Sequence, residues 1–212
     1  MNERQLILVD ALDRPIGLEE KQEVHEKGLL HRAFSLFLLN QEGKLLLQRR
    51  ALNKYHSPGL WTNSCCSHPV PNLTTEEFVR IRTGEELGVQ VEQLRETGTF
   101  LYYRHFENGL REYELDHVFI GSTQSQVVCD PLEVMEMAWV EPQWAMEDLR
   151  NNPERYTAWY ATAFAMALPE ILKIQQKSRL NCKKPEKSFY PRAARPSAKT
   201  SSADRKPRIS RG

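Results

Sequence analysis

Long apolar runs are missing from this chain. No stretch approaches the roughly 20 apolar residues that a membrane-spanning helix needs. The first residues, MNERQLILVD, mix acidic and basic side chains ahead of a very short apolar run, which is not the pattern of a secretory signal peptide. The four cysteines, two of them adjacent as Cys65 and Cys66, do not make a disulfide framework. These absences point to a protein of the reducing cytoplasm. No G-x-G-x-x-G turn occurs, so a flavin or nicotinamide site is not expected. A net charge of only +1 conceals an asymmetry.

From Lys177 onward there are 12 Lys and Arg against Glu186 and Asp204. The whole chain has 29 basic and 28 acidic residues, so the body before Lys177 carries nine more acids than bases. The segment 177–212 is rich in Pro, Ser, Lys and Arg and poor in apolar residues. It is expected to be a disordered basic tail. A tether to nucleic acid or an anionic surface is one use for such a tail, and a solubilising role is the simpler one. The body, 1–176, is long enough for one domain with a real core.

Hydrophobic residues at 40% and charged residues at 27% suit an ordinary globular domain. Residues 5–9 suggest a first strand. HRAFSLFLLN (31–40) and KLLLQRR (44–50) flank Gln41-Glu42-Gly43 and read as a hairpin. Residues 51–73, rich in Pro, Asn, Ser and Gly, read as a long loop, a kind of segment that often carries function. Thr74 or Thr75 can cap a helix with Glu76 and Glu77 in its first turn, running to Leu87 and ending at Gly88. LRETGTFLYYRHF and LREYELDHVFIG are two strands about Asn108-Gly109. EMAWV is a further strand, and 142–150 and 154–177 read as helices, with Pro169 kinking or restarting the second. The mixture predicts an α+β domain, a mostly antiparallel mixed sheet with helices packed on it.

The residues with chemistry in them are sparse but grouped. REYELDHVF carries Glu112 and Glu114, which strand alternation puts on one face. Two carboxylates side by side in an interior repel unless a cation lies between them. NSCCSHP carries Cys66 and His68, and His25 and His31 lie further upstream. Three imidazoles and two carboxylates make a set of ligands for a divalent metal of borderline hardness, Zn2+ or Mn2+ rather than Mg2+. Singly, each histidine is more often a core or surface residue, Cys66 a small buried hydrophobe, the glutamates a solvated strand face, and Trp159 a core aromatic on a helix.

Together these pieces resemble the type I isopentenyl-diphosphate isomerases, which have a Nudix-like fold. The matching segments are LEEKQEVH (18–25), LLHRAFS (29–35), RRALNKYHSPGLWTNSCCSHP (49–69), RTGEELGV (82–89), REYEL (111–115) and TAWY (157–160). With their spacing they span about residues 5–175, and the tail lies outside the resemblance. The resemblance implies that His25, His31, His68, Glu112 and Glu114 hold one divalent metal. It implies that Cys66 is the catalytic cysteine and that Glu114 also takes part in proton transfer. Tyr103 matches the tyrosine beside that glutamate if the turn differs by one residue. Trp159 matches the aromatic that faces the cationic carbon skeleton. Lys21, Arg50, Lys54 and Arg82 match basic residues that bind diphosphate, and Glu86 a ligand of the Mg2+ that accompanies it. Cys65 and Ser67 depart from the pattern: only the second cysteine stands at the catalytic place, and a glycine is common before the histidine.

The implied reaction isomerises isopentenyl diphosphate to dimethylallyl diphosphate, with no redox step. The closest rival is a Nudix diphosphate hydrolase. Aligning Glu85, Glu86 and Gly88 with the end of the hydrolase box puts Ile81 and Arg82 where Arg and Glu are needed, and Leu73 at an earlier Glu. Most carboxylates for catalytic metals are then missing. A nucleic-acid-binding module is the rival of another class, and the acidic body argues against it. No membrane span is expected, and a monomer is favoured.

Overall fold

One strand organises the molecule. β3 (His31–Leu39), HRAFSLFLL, is buried along almost its whole length, and an apolar run without alternation is the mark of a strand covered on both faces. Even and odd positions go to different cores. Phe34, Leu36 and Leu38 pack with Phe78, Val79 and Leu87 of the helix α2 (Thr75–Leu87). Phe37 and Leu39 pack with Tyr160, Phe164 and Ile171 of the last helix, α4 (Tyr160–Asn181). The sheet is thus a middle layer between helices. Each fully buried Leu or Phe in it is worth about 1.5–3 kcal/mol of transfer free energy. The computed structural model describes residues 5–54 and 56–181.

Around β3 the order is mixed. β1 (Gln5–Val9) pairs antiparallel with β2 (Pro15–Glu20) and meets β3 at Leu8 and His31. β8 (Arg111–Ser122) runs parallel to β3 over nine residue pairs, from His31 opposite Glu114 to Leu39 opposite Ser122. β7 (Glu92–His105) completes an antiparallel pair with β8. The expected Asn108-Gly109 connection is a five-residue loop, closed by Phe106 N–H to Leu110 O at 2.9 Å.

The expected hairpin of 31–40 and 44–50 forms its turn but not its ladder. β4 (Leu45–Arg50) pairs with β3 only at Leu39 and Leu45. It then diverges to pair with β5 (Trp61–Thr62) and β9 (Val134–Val140). The physical reason is burial: Leu45, Leu46 and Leu47 are as completely buried as Leu36 to Leu39, so each strand is covered on both faces by separate neighbours. The presumed loop 51–73 holds β5 and a second short strand, β6 (Cys65–Ser67), which lies antiparallel to β3 with Cys66 opposite Ser35.

α2 is capped as expected: Thr74 Oγ1 accepts from Glu77 N–H at 3.2 Å, the Glu77 carboxylate accepts from Thr74 N–H at 2.8 Å, and Gly88 ends the helix left-handed. Two further elements were not expected from the sequence, β2 and the short helix α1 (Lys21–Lys27). Pro15 and Gly17 are poor strand formers, and seven residues are too few for a helix to stand by itself. α1 survives through burial of Val24 and His25 and through Gly28, whose φ of 68° ends it. α3 (Pro142–Asn151) agrees with expectation. α4 begins at Tyr160 rather than 154, because Thr157 N–H is taken by Trp61 O at 2.9 Å and Tyr156 bridges to Trp61. It runs through Pro169 as one element to Asn181, past the boundary expected at 177. The rest of the basic tail lies outside the described residues.

Candidate active site

One face of β8 changes character along its length. Glu112, Glu114, Asp116, Val118 and Ile120 share it by alternation. The last two belong to the core under α4, while the three acids line a partly open cavity. Glu112 is 2% exposed, Glu114 7% and Asp116 2%. A buried row of three carboxyls is tolerable only where protons, donors or cations neutralise it.

The histidines come to this row from three elements. The parallel register sets His31 of β3 opposite Glu114, β6 leads into His68, and α1 carries His25. Their ring centroids lie 4.9–5.4 Å apart, and one nitrogen from each falls within 4.8 Å of the others. His25 Nδ1 donates to Lys21 O at 2.6 Å and His31 Nδ1 to Leu29 O at 2.9 Å, which fixes the tautomers and leaves each Nε2 with its lone pair. His68 Nε2 lies 3.0 Å from Glu114 Oε1, and His31 Nε2 3.8 Å from the same oxygen. Burial lowers the pKa of all three, that of His31 to about 4 and that of His68 well below its ordinary value. They are neutral imidazoles at pH 7, the form that ligates a metal. Buried His31 Nε2, His68 Nδ1 and Glu112 Oε2 make no hydrogen bond. Neutral imidazoles, paired carboxylates and such orphaned atoms fit a divalent metal.

Cys66 lies in the wall of the same cavity. Burial pushes its thiol up to about 12, with Arg50 pulling the other way, so it holds its proton at neutral pH. Cys65, opposite Leu36, points the other way into the core under α2 and is fully buried. Glu114 is raised well above a normal carboxylate by burial, then by the charges of Glu112 and Asp116. Asp116, raised to about 7 by burial, accepts a 2.8 Å hydrogen bond from Ser35 Oγ.

Trp159 is 4% exposed and also lines the cavity. Its Nε1–H donates to Asn63 Oδ1 at 3.1 Å, and Asn63 Nδ2 donates to Cys65 O at 2.7 Å. One amide therefore ties the indole to the strand that carries Cys66. The Arg50 guanidinium lies 5.5 Å from the indole centroid, a cation–π contact.

Two of the basic residues share one carboxylate. Lys54 and Arg82 both pair with Glu133, Arg82 at 2.9 Å, and Arg82 pairs with Glu86 at 2.8 Å. Lys21, Arg50, Lys54, Arg82 and Glu86 all line the cavity. Burial raises the Glu86 pKa, against the pull of Arg82.

One expected residue is not there. Tyr103 is 59% exposed and opposite Tyr113, on the outer face of β7. Tyr102 is opposite Glu114, 9% exposed, with its ring 6.1 Å from Trp159. The turn does not supply the one-residue shift that Tyr103 requires. Counting back from the hairpin would have found Tyr102, given the five-residue loop. The sequence reading also missed Asp116, Glu133 and His56. Asp116 continued the alternation of Glu112 and Glu114 and was readable. His56 lay in a segment that was singled out, but its own role was not read, and nothing local marked Glu133.

The NUDIX domain family matches residues 29–160. The chain is 46% identical over 158 residues to an isopentenyl-diphosphate Delta-isomerase of Burkholderia multivorans, covering 74% of this chain and 89% of that one. It is 44% identical over 159 residues to isopentenyl-diphosphate Delta-isomerase 2 of Aromatoleum aromaticum, covering 75% and 84%. Among solved structures, a Deinococcus radiodurans protein is similar with a TM-score of 0.60 at 20% identity, over 76% of this chain and 97% of that one. A MutT protein of Methanosarcina mazei follows with 0.53 at 19%, over 66% and 94%. The structures bear on the fold alone. With a sheet of this topology, a matching domain and relatives this similar over most of their length, the chain belongs to the Nudix family and, within it, to the isopentenyl-diphosphate Delta-isomerases.

Proposed function

We propose that this chain isomerises isopentenyl diphosphate to dimethylallyl diphosphate. The observation that carries the reading is that one cavity is lined at once by a protonated thiol, a protonatable carboxyl, an indole and a set of cations. The reaction adds a proton to the terminal methylene of the substrate and removes one from C2, so no redox cofactor is needed.

An unactivated alkene is a very weak base, so its protonation needs a dry site with an acid held against it. Cys66, kept protonated by burial, and Glu114, kept basic enough to exchange a proton, are the two proton-handling groups. Tyr102 rather than Tyr103 stands beside Glu114. The tertiary carbocation character that develops on protonation is met by the π face of Trp159, worth roughly 2 kcal/mol or more when desolvated. Lys21, Arg50, Lys54 and Arg82 grip the diphosphate by charge-assisted contacts, with Glu86 toward the Mg2+ that accompanies it. That grip aligns the alkene with the proton-handling groups. His25, His31, His68, Glu112 and Glu114 hold a divalent metal, with Zn2+ or Mn2+ suiting the nitrogen donors best. Such a metal supplies positive charge that lowers the pKa of the acids beside it and fixes Glu114.

Hydrolysis of the diphosphate is the rival within the family. Ile81 and Arg82 stand where the hydrolase box has Arg and Glu, and Arg82 is engaged with Glu86 and Glu133. Incubating the purified protein with isopentenyl diphosphate and Mg2+ tests the reading. Dimethylallyl diphosphate with no free phosphate is the expected product, and release of phosphate or pyrophosphate without isomerisation would replace this reading by hydrolysis.

A further inference from the structure

Among the described residues, a fourth buried histidine reaches the carboxylate row. His56 comes from the segment between β4 and β5 and is 8% exposed. Its Nε2 lies 2.9 Å from Glu112 Oε1. An ionised carboxylate only accepts, so the imidazole donates from Nε2–H. Two aromatic rings pack on the imidazole and one hydrogen bond holds its backbone. Phe106 lies alongside it at 5.2 Å, and Trp159 meets it edge-on at 5.8 Å. Its own carbonyl accepts from Arg50 Nη2 at 3.2 Å. The other Glu112 oxygen, Oε2, is buried and makes no hydrogen bond. His56 is not part of the close group formed by the His25, His31 and His68 nitrogens.

We propose that His56 is a positioning residue for metal binding: its Nε2–H holds Glu112 Oε1 and thereby presents Oε2 to the metal shared with His25, His31, His68 and Glu114. The inference rests on the reading of those five residues as one metal site. A carboxylate at the end of a glutamate rotates freely about its last bond. A donor clamped on one oxygen removes that freedom before the metal arrives, so less ordering remains to be done on binding. Imidazole donors of this kind orient metal ligands from outside the coordination shell, and their loss costs about 10–100-fold in metal affinity. His56 itself packs against two aromatic rings, so the orientation it imposes is set by the fold. Because one of those rings is Trp159, the same histidine sets the carboxylate at a fixed position relative to the indole.

The test is a titration of chelator-treated protein with Mn2+ alone, without substrate, read by calorimetry or by the electron paramagnetic resonance of free Mn2+. His56→Ala is expected to bind one Mn2+ per chain with a Kd about 10–100-fold weaker than the wild type. His56→Gln, which keeps an N–H donor near the same place, is expected to recover most of that loss. Circular dichroism on both variants reports the fold. If His56→Ala does not fold, the comparison of His56→Gln with His56→Leu carries the test. Equal Kd in the wild type and the variant lacking the donor would overturn the inference while leaving the metal reading intact. So would a glutamine variant no tighter than that variant. Failure of the wild type to bind either Mn2+ or Zn2+ would overturn the metal reading and this inference with it.

Discussion

Tyr102 and Tyr103 are separated by one peptide bond and lie on opposite faces of a sheet. Tyr102 faces Glu114, with a buried hydroxyl that makes no hydrogen bond, and burial followed by the charges of Glu112 and Glu114 raises its pKa. Tyr103 stands largely in solvent. A buried hydroxyl without a partner costs about 1–3 kcal/mol, so its retention needs a reason other than stability. Tyr102→Phe is expected to lower kcat by roughly tenfold or more, about 1.4 kcal/mol or more of barrier, while Tm stays the same or rises. Tyr103→Phe should change neither, and steady-state kinetics with a melting curve on each variant checks the pair. The cysteines divide in the same way. If Cys66 handles a proton as proposed, Cys66→Ala should lower turnover roughly 10²–10⁴-fold with the fold intact. Cys65→Ala opens a small gap under α2, costs about 1 kcal/mol of stability and should leave turnover nearly unchanged. Equal kinetic losses in both would remove the assignment of Cys66.

Elements matter here by where they stop. α1 is seven residues long, too short to persist alone, yet it delivers His25 to the histidine cluster. Gly28 ends it with a φ of 68°, its N–H bonded to Val24 O. A Cβ added there would lie 2.9 Å from Arg111 Cδ, a contact that the flexible arginine can relieve, so the backbone conformation dominates the cost. Gly28→Ala is expected to destabilise the protein by about 1 kcal/mol. For a chain of this size that is a fall of roughly 2–4 °C in Tm, read by calorimetry. A Tm equal to that of the wild type would show that α1 reaches His25 without this cap. β8 shows the complementary case, where one continuous element serves two purposes. The end of the stripe that carries the acids meets three histidines, and its aliphatic end packs under α4. The apolar half anchors the strand so that the acidic half can be held where it is unfavourable.

At the scale of the whole molecule, stability and function share these buried charges. Asp116 is raised to about 7 by burial, against the hydrogen bond from Ser35 and with the charge of Glu112 adding to the rise. In the unfolded chain it titrates near 3.8. The folded state therefore binds this proton more tightly. The resulting stability is fully present below pH 3.8 and is lost as pH rises through about 7. Asp116→Asn removes the titration and keeps the shape. In chelator-treated protein the variant should gain on the wild type by up to about 4 kcal/mol between pH 4 and pH 8. Urea midpoints at several pH values measure the difference, and a difference that does not change with pH would contradict it. The buried histidines shift stability in the opposite direction, and the comparison of these two proteins cancels them.

The sequence by itself determined the parts that depend on neighbours along the chain. The capping box of Thr74 and Glu77 and the Gly88 stop are local hydrogen-bond chemistry. The shared face of Glu112 and Glu114 follows from a two-residue period, and the two strands about Asn108-Gly109 from turn preference. The resemblance carried by those segments led to the family. Only the tertiary structure decided which tyrosine faces Glu114, because that depends on the number of residues in a loop, not on the strand pattern. It also decided that β3 runs beside β8 in parallel with His31 opposite Glu114, that β4 leaves β3 after one pair, and that the side chains of His56 and Glu133 reach the site. Those outcomes are set by how two cores are filled on the two faces of one sheet, and that packing depends on residues far apart in the chain.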